Sequence, residues 1–196
     1  LGRDAGVGEG VAEAVRERGG RRLELRVRVG GQLAEHGEAG GRAVARIMPT
    51  TAAAIGQGTA SLFATHSHAA AAARDLFSSV GAVVELADEE LMHAATAVSG
   101  SAPAYLYAFV EALEAAGVAA GLGASAARSL ARTTLTGAAA LLAEGQAEPA
   151  ELRRQVTSPG GTTQAALEVL MGADGLGPLL EKAVAAAARR SRELGG

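Results

Sequence analysis

The chain contains no cysteine, which removes disulfide staples, thiol nucleophiles and thiolate metal ligands from consideration. It has no tryptophan, and aromatic residues make up only 3% of it, so any core must be built from Ala, Leu and Val on closely approaching elements. Neither sign of charge dominates. Eighteen Lys and Arg against 21 Asp and Glu leave a net charge of −3, without the basic footprint that nucleic-acid binding requires. No apolar run reaches the ~20 residues of a membrane-spanning helix, and no secretory signal pattern is visible. These absences lead us to expect a cytoplasmic protein with neither nucleic-acid nor membrane partners. His66 and His68 have the spacing of two metal ligands, but no further ligands accompany them and no metal site is expected. His93 reads as a helix-surface residue, and His36 has no assigned role.

What is present is alanine, concentrated in the second half. Alanine is the best helix former, and 196 residues suffice for one large domain or one and a half smaller ones. Residues 1–42 stand apart: they are rich in Gly, Arg and Glu, and form an atypical leader expected to be irregular. Within the leader, Val11 to Arg18 reads as a short helix and Leu23 to Val29 as a strand. From Ala43 the texture changes. Val44 to Met48 reads as a strand stopped by Pro49, Gly58 to Ala64 as a second strand and Ala82 to Leu86 as a third. Ser67 to Ser79 reads as a helix, with Thr65 or Ser67 as its N-cap and Gly81 closing it. Residues 43–87 thus resemble the end of an open α/β sheet.

Beyond Asp88 the reading is helical throughout, with helices near 88–98, 103–120, 125–143, 149–156, 162–171 and 176–194 separated by Gly, Pro and Ser. Pro103 suits a helix first turn, where its missing N–H costs nothing. Leu106, Phe109, Val110, Leu113 and Val118 recur at helical spacing. The helices of 103–143 are apolar on more than one side, more than a domain of this size can hide, so a partner subunit is expected to cover them.

The stretch from Pro149 to Leu167 carries the chemistry. A short helix, a Ser158-Pro159-Gly160-Gly161 turn and a helix opening on Thr162 and Thr163 would present backbone N–H groups where the helix dipole favours an anion. The glycines let a ligand approach the main chain, and the hydroxyls of Ser158, Thr162 and Thr163 can donate to it. A small carboxylate fits such a nest without Lys or Arg. The alternative is that Ser158 and the threonines only cap the helix while the glycines only turn the chain.

Three motifs decide between these readings. Leu152, Val156, Thr157, Ser158, Gly161, Thr163, Ala166 and Leu167 fall where the pyrroline-5-carboxylate reductase signature has them, although Met171 replaces the polar residue that usually ends it. Asp88-Glu89-Glu90-Leu91, Ala94, Thr96 and Ser99-Gly100-Ser101-Ala102-Pro103-Ala104-Tyr105 resemble the family's Ser-Gly-Ser-Gly-Pro-Ala-Tyr region, with Ala102 in place of Gly. Arg46-Ile47-Met48-Pro49-Thr50-Thr51 resembles its Met-Pro-Asn-Thr-Pro segment, with Thr50 for Asn and Ala52 for Pro. The resemblance runs from about Ala43 to Leu194.

It implies a mainly α chain: a helical dimerisation and substrate-binding domain over 88–196, preceded by the last strands and helix of a truncated Rossmann-type domain over 43–87. It implies NADPH- or NADH-dependent reduction of the C=N bond of 1-pyrroline-5-carboxylate to L-proline, in a homodimer or larger homo-oligomer. Matched position by position, Thr162 and Thr163 bind the substrate carboxylate, while Ser158, Gly160 and Gly161 shape the nest. Glu89 lies close to the ring nitrogen; its alternative role is that of a first-turn helix acid. Gln155 touches the cofactor across the subunit interface unless it is merely solvated. Met48, Pro49 and Thr50 line the cofactor, and Thr96, Ser99 and Tyr105 support packing.

The family's opening strand and Gly-x-Gly-x-x-Gly turn have no counterpart in Gly6-Val7-Gly8-Glu9-Gly10, where the third spacing is wrong. The expectation is therefore a fragment whose leader is unrelated sequence, such as an out-of-frame reading of a GC-rich gene. Two other functional readings are carried. One is a non-catalytic dimerisation module that binds a twin subunit and a proline-like carboxylate. The other is a β-hydroxyacid-type dehydrogenase, disfavoured because the catalytic helix Lys of those enzymes has no match: Lys182 is the sole lysine and reads as a surface residue.

Overall fold

A computed structural model describes residues 10–18, 21–29 and 44–195. They fall into two compact units, one comprising the described residues up to Ala102 with 183–195, the other 103–182. His36 and most of the glycine stretch at 6–10 lie outside the described residues.

The first unit opens with β1 (Gly10–Arg18) paired antiparallel with β2 (Arg21–Val29). The expected helix at Val11 to Arg18 is therefore a strand, and the irregular leader contains a hairpin. The two strands pair along their whole length, with Glu13 in register with Arg26 and Glu17 with Arg22. An eight-residue helix would have had no partner surface, and isolated helices that short are unstable.

A second sheet has the order β3 (Ala45–Pro49), β4 (Gly58–Ala64), β5 (Gly81–Glu85), with β3–β4 antiparallel and β4–β5 parallel. Pro49 is tolerated as the last residue of an outer strand, where its missing N–H breaks little of the ladder. The crossover from β4 to β5 is α1 (Ser67–Phe77). Its Ala69, Ala70 and Ala73 are buried on a core of Ala45, Ile47, Ala60 and Leu62. The opposite face is covered by α2 (Leu91–Ala95) and the turn after it, which bury Met92 and Ala97.

Three local expectations need correction. The N-cap of α1 is His66, not Thr65 or Ser67, because the Thr65 hydroxyl is engaged 3.1 Å from the Val44 N–H, clasping the start of β3. Ser78 ends α1, while Gly81 begins β5 at φ +149°. The helix expected from residue 88 starts at Leu91: Asp88 accepts the N–H groups of Glu90 and Leu91 and winds the preceding residues into a turn. After α2 the chain widens into a π-helical turn over Thr96–Gly100, closed by a Ser101 N–H to Thr96 carbonyl bond of 2.8 Å. Thr96 and Ser99 both donate to carbonyls four residues back, a competition known to loosen helices.

The second unit contains α3 (Ala102–Ala119), α4 (Ala124–Ala143), α5 (Pro149–Gln155), α6 (Thr162–Leu170) and the start of α7 (Leu176–Gly195). These boundaries follow the expected ones closely, and Pro103 is in the first turn of α3. Close to the α3–α4 turn, Ala127 lies against Gly117, where a Cβ would come within 3.2 Å of the alanine methyl. Glu114 accepts from Arg132 at 2.7 Å. Further from the turn little is hidden: α3 has no buried residue, and α4 buries only Ala127 and Ala131. Leu106, Tyr107, Phe109, Leu113, Leu130, Leu141 and Leu142 all remain exposed.

Among the described residues no helix is long and apolar enough to cross a membrane. The tightest backbone approach in the second sheet is at Gly81, where an added Cβ would lie 1.9 Å from the Gly58 carbonyl oxygen. Gly81→Ala must separate β4 from β5 as well as strain the backbone, and we expect it to lower stability by about 2–4 kcal/mol, read as a fall in the urea midpoint. An unchanged midpoint would show that the strands do not approach this closely.

Candidate functional site

The Pro149–Leu167 region forms two short helices joined by a tight reversal. Pro149 opens α5 at its first turn, and the basic Arg153 and Arg154 close it, both in agreement with the helix dipole. Glu151 is held below the usual carboxylate range by hydrogen bonds, first from Arg154 and then from Gln155. The Gln155 Nε2 donates to Glu151 at 3.0 Å, which uses one of its two N–H groups within α5.

Ser158, Pro159, Gly160 and Gly161 make a turn of defined type. The Gly161 N–H donates to the Ser158 carbonyl at 3.0 Å, with Pro159 at the second position and Gly160 at φ +68° in the third. Those are the requirements of a type II turn, and the third position favours glycine because L side chains rarely adopt that φ. Gly161 has another reason to lack a side chain: a Cβ there would lie 2.3 Å from the Ser158 Oγ.

Gly161 is the N-cap of α6, and no side chain caps that helix. The capping alternative for Ser158, Thr162 and Thr163 is therefore not what the structure adopts. The N–H groups of Thr162, Thr163 and Gln164 belong to the first helical turn and have no intrahelical acceptor. The Gly160 N–H is used within the turn, donating to the Gln164 Oε1 at 2.8 Å. Gln164 was overlooked in the sequence; its signal is the capping-box position, three residues beyond the N-cap. An open groove of about 620 Å³ runs beside α5, lined by Glu151, Arg153, Thr157, Leu167 and Met171. None of the nest residues lines it, so the nest is displayed on the surface, with Thr163 half-buried and Thr162 exposed.

The remaining candidates lie in the first unit. Two of the three motifs meet there. Arg46 on β3 donates to the Glu89 Oε1 at 3.0 Å, and the Thr96 hydroxyl lies 3.0 Å from the Met48 sulfur. Glu89 is thus neither a free carboxylate nor a first-turn helix acid: it is paired in the turn that precedes α2. Thr50 binds the chain to itself, its hydroxyl accepting the Thr59 N–H at 3.0 Å and its own N–H donating to the Thr59 carbonyl at 2.9 Å. Pro49 has no N–H. Thr50 keeps its hydroxyl proton, and Gln155 keeps a second amide N–H and its side-chain carbonyl oxygen, as groups that a ligand could engage.

His66 and His68 are exposed as expected, their rings 5.4 Å apart. His93 is half-buried instead of lying on the helix surface, with its Nδ1 2.9 Å from the Ser191 Oγ of α7. The Tyr105 hydroxyl is buried without a hydrogen-bond partner among the described residues.

A family model described as pyrroline-5-carboxylate reductase dimerisation matches residues 89–194, more than half of the chain. The chain belongs to that family. Among curated relatives, the pyrroline-5-carboxylate reductase of Pseudomonas aeruginosa is 44% identical over 156 residues, 78% of this chain and 57% of that protein. The corresponding enzyme of Synechocystis is 45% identical over 156 residues, covering 78% of this chain and 58% of the relative. The chain thus spans rather more than half the length of the relatives it matches. Two solved reductases have the same fold. The Coxiella burnetii structure has a TM-score of 0.75 and 34% identity, covering 81% of this chain and 59% of the other. The Plasmodium falciparum structure, solved with NADP bound, has a TM-score of 0.68 and 29% identity, covering 80% and 60%. The nest and the α5–α7 helices of the reductase family chain fall inside the matched region, as does Glu89.

The contact at Gly161 gives a test of this geometry. Gly161→Ala should displace the Ser158 hydroxyl and destabilise the chain, and in a Ser158→Ala background most of that loss should disappear. A double-mutant cycle on unfolding free energies should show a coupling of about 1 kcal/mol; additivity would mean that the two residues do not touch.

Proposed function

We propose that this chain is the substrate-binding and subunit-pairing part of a pyrroline-5-carboxylate reductase, an oxidoreductase acting on a C=N bond in proline formation. The observation that carries the reading is the α6 N-terminus, uncapped by any side chain and preceded by a type II turn. A planar carboxylate placed there accepts from the Thr162 and Thr163 amides and hydroxyls while the helix dipole favours its charge. A nicotinamide dinucleotide supplies the hydride when bound; the Plasmodium falciparum relative carries NADP. The chain's own residues bind and orient. A protonated imine is already a good hydride acceptor, so holding its carboxylate is the larger part of the protein's task.

The exposed leucines and aromatics of α3 and α4 support a homodimer, with a second copy covering what the unit leaves bare. A cytoplasmic location accords with a biosynthetic role. Glu89 would approach the ring nitrogen only if its pairing with Arg46 leaves one carboxylate oxygen available. A second reading, a dimerisation module that binds a proline-like carboxylate without turnover, is favoured by the engagement of the Met48, Thr50 and Gln155 side chains with neighbouring residues of the chain.

The test combines mass in solution, L-proline binding and turnover of 1-pyrroline-5-carboxylate with NADPH or NADH. The expected result is a dimer that binds L-proline, with Thr163→Ala weakening binding about 10- to 100-fold through loss of a charge-assisted hydrogen bond. Turnover lost in Thr163→Ala assigns the reductase reading, whereas binding without turnover assigns the module. A monomer with no affinity for L-proline overturns both.

A further inference from the structure

We propose that Gln164 is a positioning residue for the carboxylate nest, fixing the Ser158–Gly161 turn to the first turn of α6. This rests on the carboxylate reading given above and goes beyond it. Three contacts define the role. The Gln164 Oε1 accepts the Gly160 N–H at 2.8 Å, and its Nε2 donates to the Glu168 Oε1 at 3.2 Å. The Gly161 N–H is separately engaged by the Ser158 carbonyl.

A type II turn differs from type I by a flip of its central peptide, here Pro159–Gly160. That flip exchanges the places of the Pro159 carbonyl oxygen and the Gly160 N–H, putting an acceptor where a donor had been. Gln164 selects one of the two states by holding that N–H. Glu168 in turn orients the amide, because its carboxylate can accept only from the NH2 group and so directs the Gln164 oxygen to Gly160. The backbone N–H of Gln164 belongs to the amides that face the ligand, so one residue ties the turn to the helix and lines the nest. A glutamate is the common alternative at this capping-box position and would also accept the Gly160 N–H. It would add a negative charge beside the site of an incoming carboxylate. A neutral amide gives the same anchor without repulsion.

The experiment is amide NMR on the full 196-residue chain, comparing wild type with Gln164→Ala, Gln164→Glu and Thr163→Ala. Without ligand, Gln164→Ala should speed exchange of the Gly160 N–H about fivefold, as loss of one exposed hydrogen bond implies, while Gln164→Glu should keep it protected. On titration with L-proline, followed at the Thr162 and Thr163 amides, Gln164→Ala should raise Kd about three- to tenfold with the melting temperature little changed. Gln164→Glu should also raise Kd, and added salt should reduce that penalty. Unchanged Gly160 exchange in Gln164→Ala overturns the proposal. So does an unchanged Kd in Gln164→Ala when Thr163→Ala weakens binding. If wild type and Thr163→Ala both fail to bind L-proline, the carboxylate reading falls and the positioning role falls with it. That case is recognisable because Gly160 exchange still responds to Gln164.

Discussion

Alanine sets the terms of this structure. Its methyl group hides little area, so an alanine-built interface is stable only where backbones come close. The first unit meets that condition. Three alanines of α1 lie directly on Ile47 and Leu62, and the strands beneath are drawn together at Gly58 and Gly81 until no Cβ fits between them. The second unit meets it only around Gly117 and Ala127. Beyond that point its large apolar side chains have nothing of their own to rest on, so the same composition yields a closed core in one place and an uncovered face in another. Membership of a family described by its dimerisation is what this imbalance calls for.

A second constraint operates at the nest. A helix start leaves amides that its own backbone cannot satisfy, and a chain has three ways to deal with them: a side-chain cap, water or a ligand. At α6 the available hydroxyls do not cap. Ser158 is instead crowded against Gly161, and the one side chain that reaches back, Gln164, satisfies the turn rather than the helix. The polar groups nearest the nest are thus used to shape it, leaving the first-turn amides for something negatively charged. On the carboxylate reading proposed above, backbone amides, threonine hydroxyls and the helix dipole would do the work of a lysine or arginine.

Much of this was legible in the sequence because the signals were local. Gly58–Ala64 and the helices from Ala102 onward were readable to within a residue or two from periodicity and Gly, Pro and Ser punctuation, and Ser-Pro-Gly-Gly carries its turn type in its own composition. Several of the failures were cases in which a distant residue won. Val11 to Arg18 is a strand because β2 pairs with it along its whole length. Thr65 does not cap α1 because Val44, twenty-one residues away, takes its hydroxyl. His93 is not a surface residue because Ser191 reaches it from the last helix. At the site, the contact of Gln164 with the Gly160 amide, only four residues away, went unread although the capping-box spacing could have revealed it.

The pairing of Arg46 with Glu89 shows how motif and role can separate. Sequence resemblance places both residues in recognisable segments, one in β3 and one before α2, and gives Glu89 alone an expected place near the substrate. The structure joins them to each other, alongside the contact of Met48 with Thr96. Their joint effect is mechanical: β3 is fastened at its second and fourth residues to the turn and π-helical segment around α2. Both partners of the ion pair keep substantial exposure, so water screens it and its contribution to stability is small. Its value lies in register instead. Position is what these two contacts fix for β3 and the Thr50 loop that follows it.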